Sequence, residues 1–215
     1  GKFRCMSCDF SGYADGFETS SYFRLPDFDY VPQYYKPSEE VLKYLNSRKV
    51  RVVPSFVVAP PHNDGVGFLQ THINGQVIGL TQRMFNPFGE NVRYIYQGRK
   101  GSYTGDISPF YKNNYPIVVF EKMFGMLRAL TIATERNIHL TLLSSNGSKL
   151  DYKFWNRFNP ANLVFIMDND MAGNSARDFL RKIGFNAFSS RQETDMLGDN
   201  EMEKLLLNAK SILLR

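Results

Sequence analysis

The feature that most constrains this chain is the rhythm of residues 116 to 190, where short apolar runs alternate with helix-like segments. "PIVVFE" (116–121), "IHLTLL" (138–143) and "NLVFIM" (162–167) read as strands. Between them lie "MFGMLRALTIATERN" (123–137), an apolar-faced helix, and "KLDYKFWNRF" (149–158), a short one. "GNSARDFLRKIG" (173–184) is a further helix with Gly184 as its C-cap, "FNAFSS" (185–190) a weak strand, and residues 200–213 a last helix. Strands buried on both faces are continuously apolar, and their alternation with helices predicts a parallel sheet covered on both sides.

Ligands of such a sheet gather at the carboxyl ends of its strands. Glu121 ends one strand, and Asp168 and Asp170 follow another. If the two strands are neighbours, three acids share one crevice. Crowded carboxylates repel, and a hard divalent cation such as Mg²⁺ or Mn²⁺ relieves the conflict. The plainer reading is that Asp168 and Asp170 cap the next helix. The matching Glu121, and the Ala172-Gly173 pair after the acids, weigh against capping alone.

Earlier in the chain, "KPSEEVLKYLNSRKV" (36–50) predicts a helix with Ser38 as N-cap. Residues 51–58 and 66–73 read as strands, and Asn74-Gly75 as the turn of a hairpin leading into "QVIGLTQRMF". "RYIYQGRKGSYTGD" (93–106) is basic and aromatic. Together with Arg83 it offers cations for phosphates and rings for bases, although exposed hairpins commonly carry solvated charges with no such role. Cys5 and Cys8 are the only cysteines, so a disulfide framework is excluded. Their spacing suits half of a tetrahedral zinc site or two free thiols. His62, His72 and His139 are isolated and lack ligand spacing. The half-site reading places the start of the chain midway through a longer protein.

With 43% hydrophobic and 22% charged residues, the chain has enough apolar material for a packed core. A net charge of +5 permits a polyanionic partner without establishing one. No apolar run is of membrane-span length and no signal peptide opens the chain, so a soluble, cytoplasmic protein with no membrane partner is expected. No GxxxxGK[S/T] segment occurs, so the chain is not itself a P-loop helicase.

A strand ending in Glu121, then a strand ending in Asp168-x-Asp170-x-Ala172-Gly173 and a helix, resembles the Toprim domain. Topoisomerases, some nucleases, recombination mediators and bacterial-type DNA primases share that domain. More of the chain resembles the primases. "KFRCMSCDFSG" is similar to the second half of their N-terminal zinc ribbon, and "VLKYLNSRKV" to the helix after it. "NGQVIGLTQR" resembles their hairpin ending in an arginine, here Arg83. "RYIYQGRKGSYTGD" resembles their basic segment, and "ETDMLGD" the segment after the Toprim acids, with Asp195 at the acidic position. The resemblance implies an α/β fold, in which a Toprim-type parallel sheet flanked by helices follows a smaller mixed α+β basic subdomain. Its expected divisions are 1–37 (half zinc ribbon and linker), 38–114 (basic subdomain) and 115–215 (Toprim domain with C-terminal helix).

The implied activity is synthesis of short RNA primers on single-stranded DNA from ribonucleoside triphosphates, in partnership with a replicative helicase. It would proceed in the cytoplasm, or the host cytoplasm for a phage-encoded chain. Glu121, Asp168 and Asp170, assisted by Asp195 or Asp199, would hold Mg²⁺ or Mn²⁺. Arg83, Arg93, Tyr94 and Lys100 would hold nucleotide or template. Cys5 and Cys8 would bind Zn²⁺ only with upstream ligands.

Three positions depart from the family pattern. Lys122 stands where glycine is usual, Gly125 where an aspartate is usual, and Thr194 where lysine is frequent. Lys122 either pairs with a carboxylate or reaches nucleotide phosphate. A Toprim nuclease, or a Toprim protein that binds nucleic acid with impaired catalysis, is the alternative. Asn146-Gly147, after the second strand, is either a ligand-facing turn or a plain connection, and Trp155 is expected in the core.

Overall fold

The computed structural model describes residues 2–4, 11–13, 36–60, 64–88, 92–98 and 100–213, and these form two compact units. One comprises residues 1–42 and 57–101, the other 43–56 and 102–215. Helix α1 (Glu39–Ser47) carries the chain from the first unit into the second. Ser38 caps it as expected, its Oγ accepting the Val41 N–H at 3.3 Å.

The first unit is antiparallel. Strand β1 (Lys2–Arg4) pairs with β2 (Ser11–Tyr13). A separate four-stranded sheet has the order β3 (Val57–Val58), β4 (Gly65–Thr71), β5 (Val77–Phe88) and β6 (Val92–Gly98). The Asn74-Gly75 hairpin forms where expected. Gly75 takes φ +86°, and the His72 N–H donates to the Gln76 carbonyl at 2.8 Å. The expected strand 51–58 shrinks to Val57–Val58. The backbone N–H groups of Arg51 and Val52 donate to the Thr131 hydroxyl instead of a strand partner, at 3.1 and 3.3 Å.

The second unit carries the expected sheet. Its order is β11 (Asn186–Ser189), β10 (Leu163–Met167), β8 (Ile117–Phe120), β9 (Thr141–Ser144) and β7 (Thr104–Gly105). The first four strands are parallel, and only β7 runs antiparallel, on the β9 edge. Strands β8, β9 and β10 are buried along their whole length, as their continuous apolar runs require. Helices α3 (Met123–Glu135), α5 (Met171–Lys182) and α6 (Asp199–Leu213) pack against the sheet. Two short helices, α2 (Ser108–Asn113) and α4 (Tyr152–Trp155), complete the unit.

Trp155 is fully buried among Phe154, Phe158 and Phe165, so it belongs to the core as expected. Gly184 ends α5 at φ +93°, as its C-cap position predicts. No helix among the described residues is long and apolar enough to cross a membrane.

Candidate active site at the β8 and β10 strand ends

Strands β8 and β10 lie side by side, with Phe120 opposite Ile166. Glu121 therefore leaves the sheet next to the residues leading into Asp168, and its N–H donates to the Ile166 carbonyl at 3.1 Å. The adjacency on which the shared crevice depends is present. Glu121 is 6% exposed and Asp168 1% exposed, while Asp170 is open to solvent. The Glu121 Oε2 accepts the Asp168 backbone N–H at 3.1 Å. Gly173, in the first turn of α5, permits this approach. A Cβ there would press on the Asp168 carbonyl and stand 2.8 Å from the Glu121 carboxylate.

The acids are neutralised in different ways. Burial, with further repulsion from Asp168 and Asp170, pushes the Glu121 pKa up to about 7. Burial also raises the Asp168 pKa, opposed by the ammonium of Lys122. Neither Asp168 oxygen makes a well-aligned hydrogen bond among the described residues, but Lys122 Nζ lies 2.6 Å from Oδ2. The same ammonium is 3.3 Å from Glu193. Burial works against the charge on Lys122, and contact with Asp168 and Glu193 overcomes it and raises the pKa. Asp170 caps α5, its Oδ1 accepting the Gly173 N–H at 2.7 Å. The capping reading thus holds for Asp170 and not for Asp168.

Two further acids carry arginine partners. Asp195 pairs with Arg48 at 3.1 Å. Asp199 receives Arg128 and Arg51, each at 2.9 Å, which holds its carboxyl below the ordinary aspartate range. Arg128 is fully buried and also donates to the Lys49 and Leu197 carbonyls. Sequence reasoning missed this arginine network and the part played by Glu193. The one available signal was a cation, Lys122, placed directly after a strand-end acid.

For a divalent ion the donor chemistry is apt: hard carboxylates, with a buried Asp168 neither of whose oxygens makes a well-aligned hydrogen bond among the described residues. The side chains as placed hold a lysine there instead. Among the described residues no three Asp, Glu, His or Cys side chains converge to hold a metal. The adjoining turn after β9 is tied to Glu121, whose carbonyl accepts the Gly147 N–H at 2.9 Å. Asn146, at φ 60°, accepts the Thr104 hydroxyl at 2.8 Å, so this turn at least connects and braces the strand ends.

The expected nucleic-acid residues lie in the first unit. Arg83 sits on β5 directly opposite Tyr94 of β6, its guanidinium 5.0 Å from the ring centroid. Lys100 is exposed, with its ammonium 5.9 Å from the centroid of Tyr96. Arg93 lies on β6, but its side chain, like Arg99, Cys5, Cys8 and His62, falls outside the described residues.

The fold has counterparts among solved structures. The structure of the DnaG primase catalytic domain bound to single-stranded DNA matches with a TM-score of 0.50 at 16% identity, over 82% of this chain and 62% of that one. A primase from Aquifex aeolicus, comprising zinc-binding and RNA polymerase domains, gives 0.51 at 17% identity over 81% and 50%. The RNA polymerase domain of the Mycobacterium tuberculosis primase DnaG gives 0.50 at 15% identity over 83% and 70%. The chain has the fold of a primase catalytic core. It spans about half to two thirds of the length of the first primase chains it matches. No family model matches the sequence, and no curated protein does.

Two of the three positions singled out as departures, 125 and 194, are in steric contact. A Cβ on Gly125 would collide with the Thr194 side chain, so an aspartate at 125 and the present seat of Thr194 exclude each other. Lys122, the third departure, supplies the cation beside Asp168.

Proposed function

We propose that this chain is the core of a DNA primase, which joins ribonucleotides into short RNA primers on single-stranded DNA. One observation carries the reading: Glu121 and Asp168 stand at the carboxyl ends of adjacent parallel strands in a fold of the primase type. Glu121, Asp168 and Asp170 would hold Mg²⁺ or Mn²⁺, assisted by Asp195, one of whose oxygens is already paired with Arg48. When bound, the ion supplies charge neutralisation at the triphosphate and alignment of the primer 3′-hydroxyl with the α-phosphate.

The protein's own groups do the remaining work. Arg83, Arg93 and Lys100 bind phosphates of nucleotide or template, and Tyr94 offers a ring for base stacking. In a longer parent protein, Cys5 and Cys8 complete a zinc ribbon with two further ligands, and a replicative helicase delivers the template. Glu121 and Asp168 are buried and Asp170 is exposed, so a metal-bound nucleotide would meet two carboxylates shielded from bulk water, where electrostatic contacts are strongest.

The test is a primer-synthesis assay on single-stranded DNA with labelled ribonucleotides and Mg²⁺ or Mn²⁺. Products of a few nucleotides are expected. Their absence at every metal concentration, with single-stranded DNA still bound, would favour a second reading: a nucleic-acid-binding protein of primase-like fold with impaired catalysis. The Lys122–Asp168 contact speaks for that alternative, because it places a protein cation against an acid otherwise available to a metal.

A further inference from the structure

We propose that Lys122 is a resident counter-ion that competes with the divalent cation for Asp168, so that metal binds this site only by displacing the lysine onto Glu193. The inference rests on the reading of Glu121, Asp168 and Asp170 as the metal-binding acids. It concerns how that site is filled.

Asp168 is 1% exposed and lacks a well-aligned hydrogen bond among the described residues, so water does little to stabilise its charge. The Thr194 backbone N–H helps to stabilise it, and the Lys122 ammonium is the cation in place, 2.6 Å from Oδ2. A buried carboxylate stripped of its partner is costly, which keeps the lysine seated when no ion is present. A divalent ion arriving at Asp168 would meet that ammonium at contact range, where like charges repel.

Lys122 nevertheless has somewhere to go. Its side chain is 36% exposed, and its backbone at the N-cap of α3 is extended, with no side-chain capping bond to break. Glu193, only 3.3 Å from the same ammonium and 62% exposed, can retain the lysine at the crevice mouth after Asp168 is released. The lysine therefore sets a threshold concentration of metal without closing the site.

The experiment is titration of Mn²⁺ into the whole chain, followed by electron paramagnetic resonance and by the shift in melting temperature. Two variants are compared with the wild type. Lys122→Gly suits an N-cap position, and Lys122→Gln keeps most of the side-chain stem while removing its charge. Both are expected to bind Mn²⁺ at least about tenfold more tightly than the wild type. They should also gain more melting temperature from it, since a ligand that binds only the folded state stabilises in proportion to its affinity. Adding Asp168→Asn should erase the gain. Equal affinity in wild type and both variants, or a gain that survives Asp168→Asn, would overturn the competition while leaving the metal site standing. Mn²⁺ bound by none of the proteins would overturn the metal reading as well. If neither variant folds, acylation of Lys122 in the wild type decides: Mn²⁺ should raise its reactivity, and unchanged reactivity refutes displacement.

Discussion

At the scale of single residues, Glu121 and Asp168 are two buried carboxylates in different settings: burial pushes the Glu121 pKa up, and the Lys122 ammonium sits against Asp168. The raised pKa has a consequence for stability. The Glu121 pKa rises from 4.5 to about 7 on folding. Between those values the folded chain keeps a proton that the unfolded chain has released. Stability from this source is therefore present below pH 4.5 and is lost as pH rises towards 7, by up to about 3 kcal/mol. Urea unfolding with a chelator present should show wild type losing stability from pH 5 to 8 more steeply than Glu121→Gln. Parallel profiles would refute the buried-proton account. The glycine that admits Glu121 is testable too. Gly173→Ala would push a methyl group against the Asp168 carbonyl and the Glu121 carboxylate, and should cost about 1–3 kcal/mol in denaturant unfolding. The acids themselves were legible in the sequence, because a strand-end position follows from where an apolar run stops. Their partners were not. Whether Lys122 meets Asp168 or solvent, and whether Asp170 turns back onto Gly173, depends on side-chain directions that spacing does not encode.

At the scale of elements, the continuous apolar runs of β8, β9 and β10 announced a parallel sheet, and the sheet formed. The failed strand at 51–58 shows the limit of such patterns. "RVVPSFVV" has the composition of a strand, yet the Thr131 hydroxyl of α3 takes its first backbone donors, and Arg51 reaches Glu135 and Asp199. A side chain far along the sequence outbids local propensity. The pairing of α3 with α6 has a similar long-range device in the buried Arg128, held by Asp199 and two carbonyls. Asp199→Asn leaves that guanidinium without its charged partner, although Asp199 is 40% exposed and water can substitute in part. A loss of about 2 kcal/mol at pH 7 is expected. Since Arg128 lowers the Asp199 pKa, the stabilisation is complete above the unfolded value of 3.8 and disappears as pH falls through the lowered folded value. The gap between variant and wild type should close in acid, and a gap that stays constant to pH 2 would contradict the pairing.

At the scale of the whole molecule, the chain joins an antiparallel unit carrying Arg83, Tyr94 and Lys100 to a parallel unit carrying the acids. The proposed activity would need both capacities, one to hold polyanions and one to direct chemistry at phosphate. Lys100→Ala should weaken single-stranded DNA or nucleotide binding and make the salt dependence shallower by close to one counterion, measurable by fluorescence anisotropy across salt concentrations. The most direct measurement of the central claim is the rate of RNA primer synthesis on single-stranded DNA by wild type and by Asp168→Asn under identical Mn²⁺ and nucleotide. The substitution removes the carboxylate charge with almost no change in volume, and the partly exposed Lys122 keeps Glu193 as a partner. A fall of at least about 100-fold, with the melting curve retained, is the predicted result. Primer synthesis by Asp168→Asn at the wild-type rate would contradict it.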